Sequence, residues 1–263
     1  MLTFETLLIF FIFGALSGFL AGLFGIGGGI VLVPLFWILF SHMKVPENIA
    51  IKLSVATSLS VITMITLFTS GFHILKGKIK LEELIKLLVW IVPGVILGVS
   101  FSHLLPAYIL KKLFAIVLLI IGIKILKGTK ELKAKLEEKF LIPITVALSA
   151  FLSSLLGIGG GTIVNSILFS FSKMKVDKVV ALASIISFIN AFFGSITYML
   201  LPATKVLDWQ VGYVYLPAVI LVTVGAIPGS RMGLKVLHRV NHLVLKRLFA
   251  ILLVIVAIKF LFQ

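Results

Sequence analysis

Apolar residues fall in blocks long enough to cross a bilayer, and that leaves the chain few ways to fold. The blocks occupy residues 4–41, 53–72, 84–105, 108–126, 139–172, 179–201, 211–230 and 243–262. A helix needs about 20 such residues to span the hydrocarbon. Inside lipid every backbone N–H and C=O must be satisfied within its own segment, which selects helices. Composition agrees: 60% of residues are hydrophobic and 13% charged, with a mean hydropathy of +1.25, whereas soluble domains run near a quarter charged. A water-soluble enzyme, a disordered chain and a collagen-like chain are excluded. Residues 1–24 lack a basic n-region and a small-residue cleavage site leading into a soluble domain, so no signal peptide is expected. The 263 residues accommodate roughly eight to ten crossings with short loops. The expected fold is an all-α polytopic membrane protein.

The blocks are not independent of one another. Gly25-Ile26-Gly27-Gly28-Gly29 recurs as Gly157-Ile158-Gly159-Gly160-Gly161, and Met43-Lys44-Val45 as Met174-Lys175-Val176. Pro93-Gly94 with Gly98 recurs as Pro228-Gly229 with Gly233, and LKKLFAIVLLIIGIKIL (110–126) as LKRLFAILLVIVAIKFL (245–261). Four matches in one order at nearly constant spacing mark a duplicated unit. Residues 1–126 form the first repeat and 139–263 the second. The hydrophilic stretch 127–138 is a linker between them, and the whole is one membrane domain.

Basic residues decide how the halves are related. The chain carries 24 Lys and Arg against 9 Asp and Glu, a net charge of +15, placed between apolar blocks where they orient a membrane protein rather than bind nucleic acid. If each glycine-broken block (4–41 and 139–172) crossed once, the 24 basic residues would divide evenly between the two sides, which orients nothing. If each goes in and returns, one side keeps only Lys44, Lys52, Lys111, Lys112, Lys205 and Lys259, and the other takes the rest. The second arrangement obeys the positive-inside rule. It also gives each half an odd number of passes. The halves are then inverted repeats, each a glycine-broken first segment (hairpin or two short crossings) plus three further transmembrane helices. The linker faces the cytoplasm and both termini face outside.

The two GIGGG turns are the most informative local feature. Each precedes an apolar helix, 30–40 or 162–171, whose first N–H groups have no partner within that helix. Such an N-terminus carries partial positive charge and holds anions well away from water. Two of them related by inversion are expected to converge on one anion, as broken helices do in secondary transporters. The same turns also suit close helix packing, and Gly14, Gly18 and Gly22 read as a packing ridge that serves a homodimer as readily as an internal contact. Neither a phosphate-binding loop nor a dinucleotide fingerprint is completed: Ile30-Val31 and Thr162-Ile163 stand where Lys-Ser/Thr or a further Gly is needed.

Polar residues inside the crossings form a second set. Ser54, Thr57 and Ser58 share one helical face, and Ser184 and Ser187 hold the matching stretch of the second half, Ala56-Thr57 aligning with Ala183-Ser184. Asn165 and Asn190 add amides that can donate to an anion. Hydrogen bonding between membrane helices is the competing reading for all of them. The expected substrate-binding residues are Gly25, Gly27, Gly28, Gly29, Thr57, Ser58, Gly157, Gly159, Gly160, Gly161, Asn165 and Ser184.

No Asp or Glu lies in the interior of a crossing, which disfavours a carboxylate proton relay or a cation cage. Arg231 reads as an orienting arginine, and Trp37, Trp90 and Trp209 as interface anchors. His73, His103, His238 and His242 sit near crossing ends without metal-ligand spacing, and the chain has no Cys. No catalytic constellation and no cofactor motif is present in the sequence, so no enzyme, metal or cofactor is expected.

The segments GLFGIGGGIVLVPLF (22–36) and SLLGIGGGTIVNSIL (154–168), with Ala56-Thr57-Ser58 in the crossing after the first turn, resemble the sulfite exporter TauE/SafE family of membrane permeases. The likeness spans essentially the whole chain. It implies movement of small sulfur-containing anions, such as sulfite or organosulfonates, across the prokaryotic inner membrane. The second half departs from the commoner pattern, with Asn165 where the first half has Val33 and Ser166 in place of Pro34. The leading expectation is a secondary transporter that exports such an anion by alternating access. An anion channel lined by the two turns and a non-transporting membrane scaffold are the alternatives. The implied partners are a small anionic substrate and membrane lipid, with no nucleic acid.

Overall fold

A computed structural model describes residues 4–24, 29–75, 77, 79, 81–127, 137–172, 174–237 and 242–262. The first half contains α1 (Phe4–Phe24), α2 (Gly29–His42), α3 (Glu47–Leu75), α4 (Leu81–Leu104) and α5 (Ala107–Lys127). The second contains α6 (Glu138–Leu156), α7 (Gly161–Phe171), α8 (Val176–Leu200), a hairpin of β1 (Gln210–Val211) and β2 (Val214–Tyr215), α9 (Leu216–Leu237) and α10 (His242–Phe262). The protein is an all-α polytopic membrane protein. Among the described residues, α1, α3, α4, α6, α8 and α9 are each long and apolar enough to cross a bilayer. Helices α5 and α10 have 21 residues each, with an apolar middle between basic ends.

Packing directions fix how the halves are related. Near the start of α5 the Phe114 ring lies 5.7 Å from Phe260 at the end of α10. Near the end of α5, Gly122 faces Ala250, Leu253 and Val254, early in α10. The two helices therefore run antiparallel. So do α3 and α8: Leu59 meets Gly194, while Thr69, further along α3, meets Ser184, earlier in α8. Each of these pairs is a helix and its own repeat counterpart. Parallel duplication would run such a pair the same way; inversion runs them head to tail, as the charge distribution requires.

The remaining long helices exchange between halves. Helix α1 runs parallel to α9, Gly14 beside Val222 and Gly18 beside Ala226. Its counterpart α6 runs parallel to α4, with Ala150 beside Gly94 and Ser154 beside Gly98. At Gly18 a methyl group would strike the Ala226 backbone, so only hydrogen lets the helices approach this closely. Lipid gives helices no hydrophobic drive to associate, and close packing through small residues takes its place. The ridge at Gly14 and Gly18 is thus occupied by an internal contact.

Helix directions sort the connections onto two faces. The start of α1, the end of α10 and residues 43–46, 105–106 and 201–209 lie on one, called here the termini face. The ends of α3, α5, α7 and α9 point to the other, the linker face. The expected linker 127–138 lies mostly outside the described residues. One expected boundary moves: the apolar stretch 211–230 starts with a β-hairpin, Gln210 opposite Tyr215 and Val211 opposite Val214, and α9 begins only at Leu216. Gly212, at φ 53°, supplies the turn that a helix start at 211 would not allow.

Candidate functional site

The second GIGGG turn breaks the helix by backbone conformation. Gly157, Gly159 and Gly160 take φ of 74°, 82° and 85°, a left-handed region that side chains make costly. The N–H groups of Gly157 and Ile158 both return to Ser153 O, closing the end of α6. Gly160 then caps α7, its carbonyl accepting from Val164 N–H at 3.0 Å. The N–H groups of Gly161, Thr162 and Ile163 start α7 with no partner among the described residues.

This elbow rests on the middles of α3 and α8. Ser58 Oγ donates to Gly157 O at 2.9 Å. A Cβ on Gly157 would lie 2.9 Å from Val55 Cα, and one on Gly159 would lie 2.9 Å from Ile62 Cγ2 and 3.0 Å from Ser187 Oγ. Asn190, fully buried, abuts Gly160, and neither its Nδ2 nor its Oδ1 has a hydrogen-bond partner among the described residues. Gly29, at the start of α2, comes to the same place. A Cβ on Gly29 would lie 2.7 Å from Ile158 O and 2.6 Å from Ile62 Cδ1. Gly29 and Ile158 therefore meet backbone to backbone, about 130 residues apart in sequence, with Ile62 against Gly29 and Gly159. Every residue from Leu53 to Thr63 is buried. A buried amide with no partner beside unpaired helix N–H groups is a set of donors and a dipole end with no carboxylate to answer them.

The chain matches the family described as Sulfite exporter TauE/SafE over residues 10–260. It belongs to that family. It is 30% identical over 268 residues to a probable membrane transporter protein of Haemophilus influenzae, covering 97% of this chain and 98% of the relative. It is 29% identical to one of Methanocaldococcus jannaschii, covering 91% of each, and 21% identical to one of Bacillus subtilis, covering 97% of each. No solved structure matches the chain. The protein is a multi-pass membrane transporter and not an enzyme.

For a TauE/SafE member the surroundings of the elbows matter as much as the turns. On the side toward the termini face, the hairpin closes over them. Tyr215 N–H donates to buried Thr57 Oγ1 at 3.2 Å, and the Tyr215 ring packs against Phe10 and Phe40. Tyr213 N–H donates to Tyr198 O, and Tyr198 OH in turn to Ser154 O just before the elbow. Gln210 staples the segment: its Oε1 accepts from Val206 and Leu207 N–H, and its Nε2 donates to Thr204 and Gly212 carbonyls.

The expected site residues separate accordingly. Gly29, Ser58, Gly157, Gly159, Gly160 and Gly161 come together at the elbows. Asn165 stands one turn into α7 with its Oδ1 buried and unpartnered. Thr57 holds the hairpin, and Ser184 bonds Thr69 Oγ1 at 3.1 Å, further toward the linker face. Gly25, Gly27 and Gly28 lie outside the described residues. Two groups the expected set omitted, Asn190 and Ile62, stand closest to the glycines. Asn190 carried a signal, an amide inside a crossing; Ile62 carried none, because one isoleucine in an apolar helix looks like any other.

Proposed function

We propose that the protein carries a small sulfur oxyanion, sulfite or an organosulfonate, across the prokaryotic inner membrane, outward, by alternating access of its inverted halves around the paired elbows. The observation that carries this reading is the meeting of Gly29 with Ile158 beside the unpartnered Asn190 amide. A pyramidal or tetrahedral oxyanion takes hydrogen bonds from several directions, and Asn190 Nδ2, Ser187 Oγ and the first N–H groups of α7 offer donors around one point. The family's description as sulfite exporters favours the same chemistry. Gly25, Gly27, Gly28, Thr57, Asn165 and Ser184 complete the proposed path.

Alternation is favoured over a standing channel by two closures: Ile62 fills the space between the elbows, and the hairpin seals their approach from the termini face. The surplus of basic residues on the linker face supports placing that face in the cytoplasm and both termini outside. The boundaries 1–126 and 139–263 are the moving units of this proposal. The test is flux of radiolabelled sulfite and methanesulfonate in proteoliposomes of the purified protein. Saturable, counterflow-competent movement is expected. No movement of any sulfur oxyanion under any ion gradient would end the reading, and unitary currents would replace it with the channel.

A further inference from the structure

Two adjoining cavities lie on the termini face, away from the elbows. The first, about 300 Å³, is lined by Trp37, Ile38, Ser41, His42 and Lys259. The second, about 250 Å³, is lined by Ile9, Ile12, Phe13, Ile38, Leu39 and His42. They share Ile38 and His42. One chamber is cationic and hydroxylated and its neighbour is apolar. We propose that together they bind one anionic phospholipid, its headgroup phosphate in the first chamber and an acyl chain along the second.

The first chamber has the chemistry for a phosphate. Lys259, in the last turn of α10, makes no ion pair among the described residues. Ser41 and His42 end α2 beside it. Trp37 is 8% exposed, and its indole N–H has no hydrogen-bond partner among the described residues. A buried N–H left unpaired costs free energy, so this wall of the chamber is short of an acceptor. No carboxylate lines either chamber among the described residues, and Glu47 is already neutralised by Lys111, which pairs with it at 2.5 Å and lies over the Trp37 ring at 4.8 Å.

The second chamber selects a lipid over a free anion. It runs between the first half of α1 and the last turns of α2, and Ile9, Ile12 and Ile38 are exposed on the outer surface there. A free phosphate or sulfonate would use only the first chamber and leave this groove unexplained. Lysine at a helix end, near headgroup depth, is where lipid recognition by charge operates.

The site stands apart from the elbows, and its test reads stability rather than transport. Full-length protein is stripped of lipid in neutral detergent, and its melting temperature is followed while phosphatidylglycerol, phosphatidylcholine or sodium phosphate is added. Phosphatidylglycerol is expected to raise it further than phosphatidylcholine does. Lys259→Gln is expected to weaken the phosphatidylglycerol effect about fivefold and leave that of phosphatidylcholine unchanged. Ser41→Ala, a smaller change on the same exposed rim, is expected to act in the same direction. Equal stabilisation by the two lipids would overturn the proposal, and so would an unaltered preference in Lys259→Gln. Sodium phosphate that abolishes the phosphatidylglycerol effect would give the chamber to a free oxyanion and end the lipid assignment.

Discussion

The two elbows share five residues of sequence and differ in what surrounds them. Around the second stand Asn190, with no partner for its amide, and Ser187, whose Oγ approaches Gly159. Aligned on Ala56-Thr57 and Ala183-Ser184, the first-half counterparts are Thr63 and Ser60. Both are already spent: Thr63 Oγ1 donates to Leu59 O at 2.9 Å and Ser60 Oγ to Ala56 O at 3.1 Å. Asn165 likewise faces a counterpart, Val33, that is fully buried and apolar. Duplication therefore kept the glycine sequence and divided the chemistry. The second elbow, with Gly157, Gly159 and Gly160 at positive φ, is also the one beside which the Asn190 amide and the Ser187 hydroxyl stand.

That asymmetry can be broken from the backbone side first. Gly160→Ala places a methyl group at φ 85° and into the Asn190 amide. It should lower stability by about 2 kcal/mol or more and abolish flux, read by thermal unfolding and proteoliposome transport. Asn190→Thr makes the second elbow like the first, since a threonine there can bond the carbonyl one turn back as Thr63 does. Sulfite flux should fall about tenfold or more, because a hydrogen bond to charge is lost. Stability should hold or rise by about 1 kcal/mol, because an unpaired buried amide is removed. A transport loss accompanied by an equal loss of fold would instead make Asn190 a structural residue.

Smaller changes sharpen the comparison. Thr57→Val removes the acceptor for Tyr215 N–H and should cost about 1 kcal/mol. It should also raise passive leak in proteoliposomes, because the hairpin seal loosens. Ser184, the second-half counterpart, bonds α3 instead of a hairpin, so Ser184→Val should leave leak unchanged. Thr63→Val should do least, with flux at the wild-type value and stability within about 1 kcal/mol, since Thr63 bonds only its own helix.

Much of this architecture was legible before any coordinates. Repeated residues such as Pro93-Gly94 and Pro228-Gly229 announced the duplication, and the distribution of lysines announced inversion, because both are written in composition and spacing. The break at Gly157–Gly161 was legible because few residues other than glycine take three positive φ values so close together. The hairpin at 210–215 was not, because Val211, Val214 and Tyr215 form a short apolar run that merges with the helix after it, and periodicity cannot separate the two. Ile62 was invisible because its position depends on Gly29 and Gly159, brought together from different halves of the chain. Lys111 was read as a loop cation; the structure buries it to 4% exposure against Glu47 and Trp37, a long-range pairing that no local pattern encodes.

The claim that both elbows hold one guest is tested most directly by calorimetric titration of the purified protein with sulfite and methanesulfonate. A single anion bound per chain, with the heat lost in Asn190→Thr while the protein stays folded, is the predicted result. Two independent anions per chain, or undiminished binding to Asn190→Thr, would contradict a shared site at the meeting of Gly29 and Ile158.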